Sequence, residues 1–187
     1  MLHPRFPLET ERLTYRSYRS GDRDWLVGIR GRDDLMQHVP FGGQSPEEME
    51  AVLAKRMEMT AIDEPGDALM CLMEERVTGA LVGEVMLRYP ADMPETGEIG
   101  FILHSDFHGK GYAFEGAMLM MRLGFETAGF HRMIAITDGK NTSCRRLLKR
   151  LGMREEAYFR EASYFKGAWH DNVVAAMLAE EWQAQNR

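Results

Sequence analysis

The chain has only two cysteines, Cys71 and Cys144, among 187 residues, so a disulfide framework cannot be what holds it together. Its six histidines are scattered and form no Cys/His cluster of zinc spacing, so no metal site is expected. Basic charge is also scarce: 23 Lys and Arg stand against 29 Asp and Glu, for a net charge of −6. That balance lacks the electrostatic footprint of a nucleic-acid binder and better suits a basic amine as partner. No apolar run approaches the roughly 18 residues of a membrane span, and no N-terminal apolar h-region is present. A soluble, cytoplasmic protein with no membrane partner is therefore expected. No Pro/Gly/Ser-rich linker, internal repeat or low-complexity tract divides the chain, and 44% hydrophobic content is enough for one core, which predicts a single domain over residues 1–187. A homodimer is compatible with this composition.

The most informative stretch runs from Gly97 to Glu126. Glu98 to Leu103 is short, apolar and bounded by Gly97 and Ser105-Asp106, and reads as a buried strand. Phe114, Ala117, Met118, Met121 and Phe125 then recur at helical spacing, predicting a helix over about 111–128 that Gly129 ends. Between them lies His108-Gly109-Lys110-Gly111-Tyr112-Ala113, a turn whose small residues leave backbone N–H groups open at a helix N-terminus. Such a turn can cradle a phosphate, or can be purely structural. Neither G-x-x-x-x-G-K-S/T nor G-x-G-x-x-G occurs in it, which argues against P-loop and dinucleotide readings.

The remaining elements follow the same signals. Glu9–Arg19 reads as a first strand, and Ser20 is the expected cap of a helix to Arg30 with Trp25, Leu26 and Ile29 inward. Ser45-Pro46-Glu47-Glu48 is a capping box with Pro at the first helical position, and Met49, Val52, Leu53 and Met57 form the expected buried stripe. Asp67–Glu74 and Thr78–Leu87 pattern as a hairpin, and His131–Thr137 as a strand parallel to Glu98–Leu103. Asn141 caps a helix ending at Gly152, with Cys144, Leu147, Leu148 and Leu151 on one face. Met153 to the end reads as a closing hairpin turning at Lys166-Gly167.

The turn from His108 to Ala113 resembles the acyl-CoA-binding motif of the GNAT acetyltransferases, Gln/Arg-x-x-Gly-x-Gly/Ala. Gly111 and Ala113 match, and His108 stands in the first position. The stretches LETERLTYR, GKGYAFEGA and the ending from KGAW to EEW resemble the subgroup that includes ribosomal-protein N-terminal acetyltransferases. Asn141, Leu148 and Gly152 match a further pattern of the family, in which Cys144 takes the usual serine position and Met153 the usual phenylalanine. The position that carries a thiolate-protonating tyrosine in other branches is Leu148.

The resemblance implies an α+β fold with a mixed, mostly antiparallel sheet of about seven strands, a splayed parallel pair and about four flanking helices. It implies an N-acetyltransferase that uses acetyl-CoA as co-substrate and transfers directly to a primary amine, a protein N-terminus or a small molecule. The cofactor side would comprise Phe101, Ile102 and Leu103 on the splayed strand, His108 to Ala113 at the turn, and Asn141 and Arg145. Met36 and Phe41, with the Glu47, Glu48 and Glu50 cluster, would face the acceptor. Glu98 shares a strand face with Gly100 and Ile102 and resembles the family's general base; the other reading is that it pairs with a nearby cation or faces solvent. Cys144 is a packed small hydrophobe, a proton donor to the thiolate or, as the least favoured reading, a covalent acyl-cysteine, its place at a helix start being expected to lower the thiol pKa. A non-catalytic acyl-CoA sensor and a nucleotide-binding interaction module are the alternatives from other functional classes.

Overall fold

Leu69, Cys71 and Met73 alternate with Met70 and Leu72, and all are buried, so this strand must be covered on both faces. In the computed structural model, which describes residues 2–41 and 45–186, the run is β3 (Ala68–Glu75) inside one sheet. Its neighbours in chain order are β1 (Leu8–Glu9), β2 (Leu13–Arg16), β4 (Leu81–Arg88), β5 (Thr96–Leu103), β6 (Arg132–Asp138), β7 (Arg154–Phe165) and β8 (Ala168–Leu178). They lie in the order β1-β2-β3-β4-β5-β6-β8-β7, with β5 and β6 parallel and the other neighbours antiparallel.

Helices α1 (Arg23–Arg30) and α3 (Pro46–Glu58) cover one face, packing Leu26, Met49 and Leu53 on Met70 and Leu72. On the other face, α4 (Tyr112–Arg122) and α5 (Thr142–Arg150) bury Ala117, Met120, Met121 and Leu148 in a core shared with Leu69, Cys71 and Met73. Two short helices complete the set: α2 (Asp33–Met36) and α6 (Ala179–Gln185). The architecture is the mixed α+β one expected, with eight strands and six α-helices among the described residues rather than about seven and four. None of these helices is long and apolar enough to cross a membrane.

The differences have local causes. The first strand is two short ones, because the chain reverses at Thr10, whose N–H donates to the Leu13 carbonyl and whose hydroxyl donates to Glu115. Ser20 caps nothing; a 3-10 turn over Ser20–Asp22 precedes α1, and Asp22 is turned inward onto Arg16 and the Arg19 amide. On α3 the capping box forms as expected, but Met57 is exposed and Arg56 buried, because Arg56 reaches Glu84 across the core. The expected α4 stripe is wider than its spacing suggested, with Phe114 and Met118 only half-buried, and the helix continues as a π-helical segment over Leu123–Ala128 before Gly129. The tail leaves its hairpin for α6 because Trp182 stacks on Phe125 and its indole N–H donates to Glu126.

β5 is held tightly against β4. A Cβ on Gly83 would fall well inside contact distance of the Ile102 carbonyl oxygen and 3.0 Å from the Leu103 Cα. Gly83→Ala is therefore expected to cost about 1–3 kcal/mol, read as a lower urea midpoint. Gly21→Ala, which meets nothing within 4 Å, should change stability by less than about 0.5 kcal/mol.

Candidate active site

β5 and β6 pair only from Thr96↔Arg132 to Glu98↔Ile134. Beyond that point β5 stays with β4 as far as Leu103↔Gly83, and β6 stays with β8 as far as Asp138↔Asn172. The two parallel strands thus part, and the edge of β5 from Ile99 to Leu103 faces a gap. Two clefts of about 670 and 660 Å³ open from it. They share His38, Val39, Phe101, Ile102, Asn141 and Cys144, so they are the two halves of one passage.

The first half runs along Phe101, Ile102 and Leu103 to the glycine turn. Gly109 and Gly111 have φ of +74° and +84°, the left-handed region that favours glycine, and Gly111 is the N-cap of α4. Among the described residues, the backbone N–H groups from Gly109 to Phe114 have no hydrogen-bond partner, whereas Glu115 N–H returns to the Gly111 carbonyl. These open amides sit at the positive end of a helix dipole, and Gly109, Gly111, Tyr112 and Ala113 line the cleft. His108 donates from Nε2 to the Leu103 carbonyl at 3.1 Å, tying the turn to the strand end. Arg12 braces the outer side: it donates to the Lys110 carbonyl at 2.8 Å, pairs with Glu115 and lies 4.6 Å from the Tyr112 ring centroid. Nothing in the sequence marked Arg12, because its partners lie about a hundred residues away along the chain.

Two expected cofactor-side residues lie elsewhere. Arg145 turns away to Glu155 at 2.7 and 2.9 Å, while Arg146 and Arg150, one helical turn apart, line the cleft. The Lys110 ammonium sits 5.2 Å from the Phe107 ring centroid and does not line it. Asn141 is where it was expected, capping α5 by accepting from Cys144 N–H at 3.0 Å and facing both halves.

The second half lies on the α1/α3 face. Register places Arg88, Met86 and Glu84 opposite Glu98, Gly100 and Ile102, and all line it. Glu98 does share its face with Gly100 and Ile102, and it is ion-paired with Arg88, the alternative the sequence left open. Gly100 faces the Met86 methyl, 3.3 Å from where a Cβ would stand. Phe41 lines this half with its ring centroid 3.8 Å from the Arg30 guanidinium carbon. Met36 does not: it is 1% exposed, a core residue, and Gln37 to Val39 after it line the passage instead. Glu48 is spent on capping and Glu50 on Arg23, so the acidic cluster behaves as a helix start. A buried charge group walls the cleft: Glu84 accepts from Tyr18 and from Arg56 at 2.6 Å, with Arg30 at 3.6 Å.

At the junction Cys144 is partly buried and packs against the core. Burial pushes its thiol pKa up, and a hydrogen bond from Thr137 offsets this only in part, so the expected lowering by the helix end does not prevail. Cys71, sealed in the core, is pushed up to about 12 by burial. Beside Cys144, Asp138 accepts on one carboxylate oxygen from His38 Nδ1 at 2.9 Å and His170 Nδ1 at 3.0 Å, and on the other from the Lys140 amide. Burial opposes ionisation of Asp138, but these hydrogen bonds outweigh it and hold the carboxyl below its usual range. The histidines lie far apart in sequence and gave no signal.

The sequence matches the Acetyltransferase (GNAT) domain over residues 12–154. It is 28% identical over 175 residues to the uncharacterized N-acetyltransferase YnaD of Bacillus subtilis strain 168, covering 94% of this chain and 98% of that one. Over 84 residues it is 30% identical to the ribosomal protein uS5-alanine N-acetyltransferase of Escherichia coli K12, covering 45% and 43% of the two chains. A GNAT acetyltransferase structure from Bacillus anthracis superposes with a TM-score of 0.81 at 26% identity over 97% of this chain and all of that one. A spermidine N-acetyltransferase from Vibrio cholerae, solved with CoA and spermine, shares the fold at TM-score 0.77 and 19% identity, covering 93% and 99%. With the family match spanning most of its length and the splayed strands in place, this chain belongs to the GNAT acetyltransferases.

Proposed function

We propose that the protein transfers an acetyl group from acetyl-CoA directly to a primary amine, within a ternary complex assembled in the two-part passage. The observation that carries this is the parting of β5 and β6 together with the open amides from Gly109 to Phe114. The pantetheine arm would pair with the β5 edge as an added strand, and the pyrophosphate would lie on the turn from Lys110 to Ala113, with Arg146 and Arg150 nearby. This leaves the thioester at the junction of the halves, where an amine from the second half can reach it, and positioning is the main contribution to rate.

An amine arriving as ammonium must lose one proton before it can attack. Glu98, on the acceptor face and paired with Arg88, is the carboxylate we assign to receive it, directly or through water. Cys144, held protonated, donates a hydrogen bond at the thioester sulfur rather than attacking it.

Incubation with acetyl-CoA and a panel of amines and N-terminal peptides, with release of free thiol as readout, tests the activity and ranks acceptors. Acetyl-CoA at a hundredfold excess over Kd should stabilise the fold by about 2.7 kcal/mol, and an unmoved melting curve would contradict the assignment. Gly111→Val forces a branched side chain to a φ of +84°; it should lose about 1–3 kcal/mol of stability and abolish the acetyl-CoA shift. Glu98→Gln should keep acetyl-CoA affinity and slow transfer about 10²–10⁴-fold, most at low pH where more amine is protonated; an unchanged pH–rate profile would remove Glu98 from the reaction. Acetyl-CoA without acceptor should leave the intact mass unchanged, and an added acetyl on Cys144 would rule out direct transfer.

A further inference from the structure

Glu98 accounts for one proton, but acetylation of an ammonium group releases two from nitrogen and returns one to sulfur. The passage holds a second group with the geometry for this. His38 lines both halves of the cleft, its side chain 25% exposed, while Asp138 behind it is 2% exposed. An ionised Asp138 accepts and cannot donate, so the hydrogen-bonded Nδ1 of His38 carries its proton there and Nε2 keeps the lone pair. Among the described residues Nε2 has no hydrogen-bond partner.

We propose that His38, positioned by Asp138, is a catalytic proton shuttle that takes the second amine proton and delivers it to the departing CoA sulfur. This rests on the acetyl-transfer reading above. The amine lone pair forms the N–C bond on the thioester carbonyl; the resulting adduct gives its N–H proton to His38 Nε2, forming imidazolium. The C–S bond then breaks with its electron pair on sulfur, and the imidazolium returns the proton to that thiolate. Amide, free thiol and neutral histidine result, and the atoms balance without another acid. A single base facing both the amine side and the thioester side suits this transfer, and among the site's titratable groups only His38 is set in both halves with an ionised partner behind it.

The groups around the pair leave His38, and not His170, open to the passage. Asp138 on β6 faces both rings, but His170 is stacked on Phe165 with centroids 3.7 Å apart and is only 12% exposed. Lys166, on the β7–β8 turn, is directed to the Met36 carbonyl, and Asp34 on α2 is tied to Arg32 at 2.8 Å. Thr137 and Cys144 complete the wall as neutral groups.

Two variants, imidazole rescue and ring NMR together test this. With an acceptor from the amine panel, His38→Ala should lose about 10²–10⁴-fold in kcat while acetyl-CoA affinity by calorimetry stays near wild type. Added imidazole should restore part of the rate, which a structural role would not allow. His38→Asn keeps a side-chain N–H for Asp138, so it should fold like wild type and remain slow. Ring nitrogen-15 NMR of the wild type, which needs no acceptor, should show the Nδ1–H tautomer at His38 and a shift on adding acetyl-CoA. Full activity in His38→Ala, a loss without imidazole rescue, an Nε2–H tautomer or a ring unmoved by acetyl-CoA would each overturn the shuttle. Failure of the wild type to acetylate any amine would instead overturn the acetyl-transfer reading, and the shuttle with it.

Discussion

Two parallel strands that stop hydrogen-bonding halfway along their length leave backbone N–H and C=O groups facing a gap, and the rest of this structure is arranged around that gap. Unpaired backbone polar groups shut away from water are costly, so the parting persists only because each strand is held more firmly on its other side. β6 keeps its ladder to β8 from Arg132 to Asp138, and β5 keeps its ladder to β4 from Glu98 to Leu103. Gly83 lets β5 lie close at the point where it has left β6. The N-terminus of α5, with Asn141 and Cys144, stands at the junction of the two halves.

The charges around the gap fall into two groups with different physics. At the turn, polarity comes from backbone amides and two arginines on a helix face that remain partly in water, the donors to which the proposed function assigns the pyrophosphate. On the acceptor side, Glu84 with Tyr18, Arg56 and Arg30, and Asp138 with His38 and His170, are buried carboxylates held by several donors each. Removing one partner from such a group leaves a charge without compensation in a poorly screened site, which makes the groups rigid. Arg30 carries one sign of that tension: burial pulls its pKa down, and among the described residues its Nε has no partner. In the proposed ternary complex, rigid polar walls on one side and open amides on the other would hold the two substrates in one orientation.

Much of this could be read from the sequence. The alternation in β3, the spacing in α4 and α5, the capping box at Ser45 and the glycine turn after β5 are local patterns, decided by neighbours within a few residues. So was the shared face of Glu98, Gly100 and Ile102, since strand period alone sets it. Local chemistry failed where a long-range partner intervened. Arg56 took the inward place expected of Met57 because of Glu84, α6 replaced a strand because of Phe125 and Glu126, and Arg145 left the cleft for Glu155.

The sequence by itself determined most of the strands and helices, the family, and the glycine turn ahead of α4, because each depends on residues close in the chain. Only the tertiary structure decided which side chains meet in the passage. His38 and His170 reach Asp138 from a loop and a strand 132 positions apart, and Met36 turns into the core while its neighbours face the cleft. Cys144 shows the difference in one residue. Its place at a helix start is local and would lower its thiol pKa, but the burial that raises it is imposed by strands and helices from the rest of the chain, and burial is the larger effect.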